Sequence, residues 1–329
     1  MKRVLIITGP GGDAQGWGDM QVTQHICDAI NANGKSAQIA YVESLDDFTR
    51  AVRTNRFDII WSALYHASPK ADVIGMSESD EAWLADHLDA WQIPYIGPNA
   101  LTMRQLIQKY ETHRILDENK VAVPYHLLVA RGEPLPQLAY PAFVKPSMES
   151  RSVGISDDSV VNSPEALQRQ IRYIHETFQQ PALVEEYLPG EEYTVLMIGN
   201  GELQEFLPGI VEVEASHYGK YHILRSDLRG VGLTKIHLPE SRGGQAVNLC
   251  RQATDALKCW DHVRVDMRVD AHQQLKIIEV NGIPGLKPVK SWSPQIYSLY
   301  HASPLGPEED YRRLIDCIVT SALARHNLA

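Results

Sequence analysis

The stretch 264–285, RVDMRVDAHQQLKIIEVNGIPG, constrains this chain more than any other. Val263, Val265, Met267 and Val269 alternate with Arg264, Asp266, Arg268 and Asp270, the period-two pattern of a half-buried strand. A second run, 275–281, follows after a few polar residues, so a four-residue turn over 271–274 makes a hairpin with Asp270 opposite Leu275. Counting back along the ladder, Asp266 faces Glu279 and Arg264 faces Asn281. Two carboxylates directly across a ladder repel, and the arrangement asks for a cation between them. Magnesium suits, because it takes oxygen ligands from one or two carboxylates plus nucleotide phosphates, and Asn281 adds an amide oxygen. Pro284 and Gly285 end the strand in a tight turn whose backbone is free to approach a ligand. Taken alone, the same pattern also describes an exposed hairpin with solvated charges.

The remainder of the chain decides between these readings. With 329 residues, 44% hydrophobic and 22% charged, it is long enough for two or three globular domains. The net charge of -10 argues against general binding to nucleic acid or to an anionic membrane. No run approaches a membrane span, and the apolar start at residues 4–7 is too short for a signal-peptide core. Cys27, Cys250, Cys259 and Cys317 have no metal-ligand spacing and are too few to staple the fold, which points to a reducing cytoplasm.

Residues 4–8 form an apolar run typical of a buried parallel strand, and it empties into a glycine-rich loop, 9–18. Helices are expected near 22–30, 45–53 and 81–91, with strands at 36–42, 58–63 and 94–97. This alternation predicts an N-terminal doubly wound parallel sheet. The loop satisfies Gly9-x-Gly11-x-x-Ala14, and Glu43 stands where a ribose ligand belongs, so an NAD(P)-dependent oxidoreductase is an alternative reading. Another is a nucleotide-binding protein without catalysis.

A long helical stretch, 99–119, carries Lys109, Glu111, His113 and Arg114. Further on, the apolar strand 142–146 ends in Lys145, costly to bury without an anion, and runs into the hydroxyl-rich, glycine-closed loop 147–154. That chemistry suits a phosphate lid, or else a surface turn with a snorkelling lysine. A helix over 164–178 leads to a strand, 182–188, a Pro189-Gly190 bend and a returning strand from Glu192, which together read as a hinge able to pair with an adenine edge. Strands are expected at 202–207 and 209–214. The polar loop 215–232 carries His217, Lys220, His222, Arg225 and Arg229 and is a mobile lid or a surface loop. A helix over 241–260 capped by Ser241, the basic-aromatic segment 287–294 and a closing helix over 307–326 complete the reading.

The segments VKPSMESRSVGIS, VEEYLPGEEYTV and RVDMRVD…IIEVNGIPG, in that order behind an α/β region and a lysine-bearing helix, resemble the ATP-grasp superfamily, most closely the D-alanine:D-alanine ligases. The resemblance covers nearly the whole chain. It implies an α/β and α+β architecture, the doubly wound sheet at 1–98 followed by a two-lobed ATP-grasp fold, with a central lobe at 99–188 and a C-terminal lobe at 189–329. It further implies an ATP-dependent, ADP-forming carboxylate-amine ligase working through an acyl phosphate, with ATP and magnesium or manganese as cofactors, small-molecule partners and, as is common in such ligases, a homodimer. Position by position, Lys109 and Lys145 would contact phosphates under a loop of Ser152, Val153 and Gly154. Glu185, Tyr187 and Leu188 would frame adenine, and Glu192 would bind ribose. Lys220, with Tyr221 beside it, would close over the γ-phosphate; Asp266, Glu279 and Asn281 would hold the metal; Arg264 and the Gly285 amide would stabilise an oxyanion.

The chain departs from the D-alanine ligases at both substrate ends. Ser150 and Arg151 replace a glycine and a serine in the lid, giving a larger, more cationic tip. The family's glutamate for the first substrate's ammonium has Gln15 near its place, with Asp13 or Asp19 as substitutes, and a KPVKSWSP stretch replaces the small serine-containing segment after Gly285. Substrates other than D-alanine follow, as in dipeptide or secondary-metabolite synthesis, with Lys287 or Lys290 offered to an extra carboxylate.

Overall fold

The computed structural model describes residues 1–71, 83–228 and 233–328. The chain opens with β1 (Arg3–Thr8), a one-turn α1 (Gly12–Gln15), α2 (Met20–Ala32), β2 (Ser36–Tyr41), α3 (Leu45–Thr54), β3 (Ile59–Ser62), α4 (Leu84–Ala90) and β4 (Tyr95–Ile96). Its four strands lie in the order β2-β1-β3-β4, and every pair is parallel. Period-two alternation in β1 feeds both faces. Val4 and Ile6 join a core with α2, whereas Leu5 and Ile7 pack with Phe48 of α3 and Leu84 and Leu88 of α4. Each such fully buried aliphatic side chain contributes about 1.5–3 kcal/mol. Glu81, the expected start of α4, lies outside the described residues.

The expected single helix over 99–119 is two, α5 (Ala100–Ile107) and α6 (Lys109–Glu118), broken at Gln108 with φ −88° and ψ 88°. The break lets the Lys109 amide donate to the Ser147 carbonyl at 3.1 Å and turns Lys109 towards the lid. A second sheet follows, built from β5 (His126–Val129), β6 (Ala142–Pro146), β7 (Val160–Val161) and β8 (Ala182–Glu186), in the order β5-β8-β6-β7 and backed by α7 (Pro164–Thr177).

The third sheet has the order β11-β10-β9-β12-β13, from β9 (Glu192–Ile198), β10 (Glu205–Val213), β11 (Thr234–His237), β12 (His262–Val269) and β13 (Leu275–Asn281). The two strands expected at 202–207 and 209–214 are one, β10, which runs through Pro208 without a break. Proline is tolerated there because β11 pairs only with residues 210–213, so the missing N–H faces no ladder partner on that side. α8 (Gly243–Leu257) packs behind this sheet. Arg242, in the left-handed region at φ 58°, is its N-cap, and no side chain caps it, so the expected Ser241 cap is not formed. The segment after β13 turns into α9 (Trp292–His301), and α10 (Pro307–Arg325) returns to pack on α2.

The register in the β12–β13 hairpin is Arg264 to Asn281 and Asp266 to Glu279, as the alternation predicts. The turn is not the expected one. Val269, not Asp270, faces Leu275, because Asp270 instead ties the turn by accepting the backbone N–H of His272 and of Gln274, each at 2.8 Å. A bulge between Asp266 and Met267, with Ile278 left without a partner, makes up the one-residue difference. The four cysteines are free thiols, and among the described residues no helix is long and apolar enough to cross a membrane.

Candidate active site

Two cavities meet at the hairpin. The first lies between the second and third sheets. Lys109, Lys145, Ser152, Val153, Glu185, Tyr187, Leu188 and Glu192 all line it. Gly154 stands behind this wall at φ 77°, where a Cβ would sit 2.7 Å from Pro146 and 2.9 Å from Phe178. The second cavity is larger, about 1380 Å³, and collects Asp13, Gln15, Arg151, Arg264, Asn281, Gly285, Lys287 and Lys290. Lys109, Glu149 and Glu279 line both.

Lys145 sits at the end of β6, 5% exposed, and a buried ammonium needs an anion. Antiparallel pairing of β6 with β8 places Glu185 diagonally across, and Lys145 Nζ lies 2.8 Å from Glu185 Oε2. It also donates to the Ile278 carbonyl at 3.3 Å, the group left without a strand partner by the bulge. Burial pushes the Glu185 carboxyl up, and the Lys145 ammonium works against that rise. His113, fully buried with Nδ1 3.2 Å from Glu185 Oε1, is held well below its ordinary value by burial and then by Lys145, so it stays neutral.

Lys109 Nζ donates to the Glu149 carbonyl and pairs with Glu279 Oε1 at 3.0 Å. Glu192 opposes Arg268 in the β9–β12 ladder and lies 3.4 Å from it. Arg268 belongs to the alternation of β12, yet its charge gives no sign in the sequence that it lines the first cavity. Glu149, Ile223, Leu224 and Ile278 line it as well; the first was hidden among the polar residues of the lid, Ile223 and Leu224 inside the polar loop, and Ile278 in an ordinary apolar run.

Arg264 grips Asp266 with Nε and a terminal nitrogen at 2.8 and 2.7 Å, and its guanidinium lies 4.7 Å over the Trp292 ring. Asp266 also accepts from Thr194 Oγ1 at 2.8 Å and from Asn281 Nδ2 at 3.1 Å. The two hairpin carboxylates are thus each neutralised by a side chain, Arg264 for Asp266 and Lys109 for Glu279. Among the described residues no cluster of three or more His, Cys, Asp or Glu stands ready for a metal. Two carboxylates and the Asn281 amide oxygen nevertheless form an oxygen-only set of the kind that magnesium shares with phosphates. They fit such an ion when Arg264 and Lys109 yield their places.

Over the second cavity, Arg151 at the lid tip donates to both the backbone carbonyl and the carboxylate of Asp13, each at 2.7 Å, and Ser150 Oγ reaches the Ala14 carbonyl at 3.3 Å. Lys220 lines neither cavity. It is exposed, its amide bound to Asp157 at 2.7 Å and its ammonium 5.1 Å over the Tyr221 ring. Tyr221 accepts from Asn162 at 2.7 Å, and Arg229 lies outside the described residues.

The glycines of the first loop have structural work of their own. A Cβ on Gly9 would lie 2.1 Å from the Val42 carbonyl, and one on Gly16 2.0 Å from that of Ala63. They let the loop press on strand ends rather than cradle a pyrophosphate. Glu43 does not line the second cavity beside this loop; its amide joins the cap of α3 through Asp47.

Comparison with known proteins gives a consistent picture. The family model described as D-ala D-ala ligase C-terminus matches residues 130–299, more than half of the chain. An uncharacterised protein, y4sG of Sinorhizobium fredii, is 29% identical over 243 residues, 71% of this chain and 68% of its own length. The D-alanine--D-alanine ligase of Haemophilus ducreyi is 27% identical over 205 residues, 60% of this chain and 65% of that enzyme. These alignments therefore span about two thirds of each relative. The crystal structure of D-alanine--D-alanine ligase from Bacillus anthracis complexed with ATP superposes with a TM-score of 0.72 at 19% identity, covering 99% of both chains, which establishes the ATP-grasp fold.

Proposed function

This chain belongs to the D-ala D-ala ligase family, an ATP-dependent ligase of the ATP-grasp fold, and we propose that it joins a small carboxylate other than D-alanine to an amine or another nucleophile through an acyl phosphate. The observation that carries this reading is the junction: Lys109, Glu149 and Glu279 belong to both cavities, so a nucleotide in one presents its terminal phosphate to an acid in the other.

In this reading Glu185, Tyr187 and Leu188 frame the adenine, Glu192 takes ribose hydroxyls, and Lys145 and Lys109 exchange their carboxylate partners for phosphate oxygens. The lid of Ser152, Val153 and Gly154 covers the phosphates. A carboxylate oxygen of the substrate attacks the γ-phosphorus; the bond to the β-bridging oxygen breaks and ADP leaves. The nucleophile then adds to the acyl carbon, loses its proton to solvent, and inorganic phosphate departs. Arg264 and the Gly285 amide receive the oxyanion formed in that addition, and donors so placed contribute on the order of 3 kcal/mol each. Asp266, Glu279 and Asn281 would hold magnesium or manganese, which supplies charge neutralisation to the phosphates when bound. Lys220 would reach the γ-phosphate by leaving Tyr221, on a loop whose Ile223 and Leu224 already line the nucleotide cavity. The free thiols support a cytoplasmic setting.

ATP with magnesium is expected to raise the melting temperature, and NAD to leave it unchanged; the opposite pattern would sink the ligase reading. Phosphate release in the presence of ATP, screened over pairs of carboxylates and amines, then identifies the substrates.

A further inference from the structure

Three ionisable side chains from three elements meet at the wall of the first cavity. His113 of α6, Lys145 of β6 and Glu185 of β8 are 0%, 5% and 3% exposed. The carboxylate stands between the other two, with Oε2 2.8 Å from Lys145 Nζ and Oε1 3.2 Å from His113 Nδ1. Lys145 and Glu185 line the cavity and His113 does not, so the imidazole is the neighbour that a bound ligand leaves in place.

The two lysines that turn to phosphates leave unequal partners behind. Glu279, released by Lys109, belongs to the oxygen set that suits a divalent ion. Glu185 lies outside that set, and Lys145 is the one lysine or arginine paired with it among the described residues. A buried carboxylate stripped of its cation is strongly destabilising, so the departure of Lys145 calls for a replacement charge.

The groups around His113 leave it the best placed to supply one. Lys109, one turn earlier on α6, is committed to Glu279, and the Ile278 carbonyl of β13 lies beside the ring. His126 stands across the β5–β8 ladder from Glu185, its ring centroid 5.3 Å from that of His113, and gives its Nδ1 to the Pro124 carbonyl at 2.9 Å. On its other side α6 meets α8 in the apolar cluster of Leu116 and Cys250. Burial, and after it the Lys145 charge, keeps the imidazole neutral in the empty site. Withdrawing that charge removes one of these causes, and a bare carboxylate at 3.2 Å favours the imidazolium.

We infer that His113 is a positioning residue that frees Lys145: as the ammonium turns to the nucleotide, the imidazole takes one proton from solvent and donates Nδ1–H to Glu185 Oε1. ATP binding then carries a proton into the fold. This rests on the reading of the first cavity as the nucleotide site and adds to it a replacement counter-ion.

The test is titration calorimetry of the full chain with ATP and saturating magnesium, repeated in buffers of different ionisation enthalpy. At pH 7 the unaltered chain is expected to take up about one proton per nucleotide, and its ATP affinity to fall towards tenfold per unit as the pH rises above that. His113→Asn, which cannot accept the proton, is expected to bring the count near zero, flatten the pH profile and weaken ATP binding at pH 7 by about tenfold. His126→Asn should keep the count. In the unaltered chain labelled with nitrogen-15 histidine, one ring is expected to shift to the imidazolium position on adding ATP, a readout that holds even where His113→Asn fails to fold. ATP binding with a count near zero, a count undiminished in His113→Asn, or one lost in His126→Asn instead overturns the inference and leaves the ligase reading standing. Absence of both binding heat and thermal shift with ATP removes both.

Discussion

Lys145 donates to the Ile278 carbonyl at 3.3 Å, joining the second sheet to the one residue that the bulge of the hairpin leaves unpaired. The same ammonium neutralises Glu185, so Lys145 ties together a lid strand, the hinge strand and the hairpin.

Replacing Lys145 with Met strands a buried carboxylate at Glu185. The expected cost is about 3 kcal/mol in urea unfolding, the usual scale for removing one partner of a buried pair, together with loss of ATP binding. Lys145→Met combined with Glu185→Gln should regain most of the stability and none of the ATP affinity. A double variant as unstable as the single one would show that the pair is not what holds this region.

Glu279 faces Asp266 and pairs with Lys109 at the junction of the cavities. Glu279→Ala is expected to keep the fold, seen by circular dichroism, and to lower ADP formation by about 10²-fold or more, the several kcal/mol of charge stabilisation at stake. Chelation of divalent ions should do the same to the unaltered chain. Undiminished turnover in the variant would remove Glu279 from the metal site.

How much of this was legible in the sequence depends on whether a residue's neighbours are near in the chain. Asp266 and Glu279 were placed correctly because charge alternation fixes which face each occupies. Two one-residue misreadings cancelled there, however: the longer turn built on Asp270 and the bulge at Ile278, an apolar residue in an apolar run that carries no mark of its own. The break at Gln108 was equally silent, because its cause is the Ser147 carbonyl some forty residues away. For Lys220 and Gln15 the sequence located the residue and not its direction. The first is turned onto Tyr221, and the second is oriented by backbone groups of Tyr65 and His66.

Arg151 and Asp13 bridge the lid tip to the first loop, but their side chains are 45% and 60% exposed. An exposed pair contributes under about 1 kcal/mol and weakens with salt. Arg151→Ser should therefore leave the melting temperature within a few degrees and preserve ATP binding, while raising KM for the carboxylate and relaxing the choice among acids, since Arg151 lines that cavity. An unchanged substrate profile would mean that the lid tip plays no part in selection.

His262 is fully enclosed in β12, and burial, aided by Arg264, pushes it down from 6.5 to about 3. His113 is also held well below 6.5. In the unfolded chain both take up a proton as the pH falls below about 6.5, whereas the folded chain keeps them neutral. The unfolded state then binds more protons, so stability is complete above that pH and drains as it falls towards 3. His262 contributes a slope of about 1.4 kcal/mol per pH unit in this window. Glu185 acts in the opposite sense, because its raised value lets the folded chain take a proton first, and it touches His113; His262 is the cleaner probe. Urea unfolding between pH 6.5 and 4.5 stays above the range in which the depressed carboxyls of Asp47 and Asp58 titrate. Over that interval His262→Leu should flatten the loss of stability by about 1.4 kcal/mol per pH unit. A slope equal to that of the unaltered chain would show that His262 is already protonated in the fold.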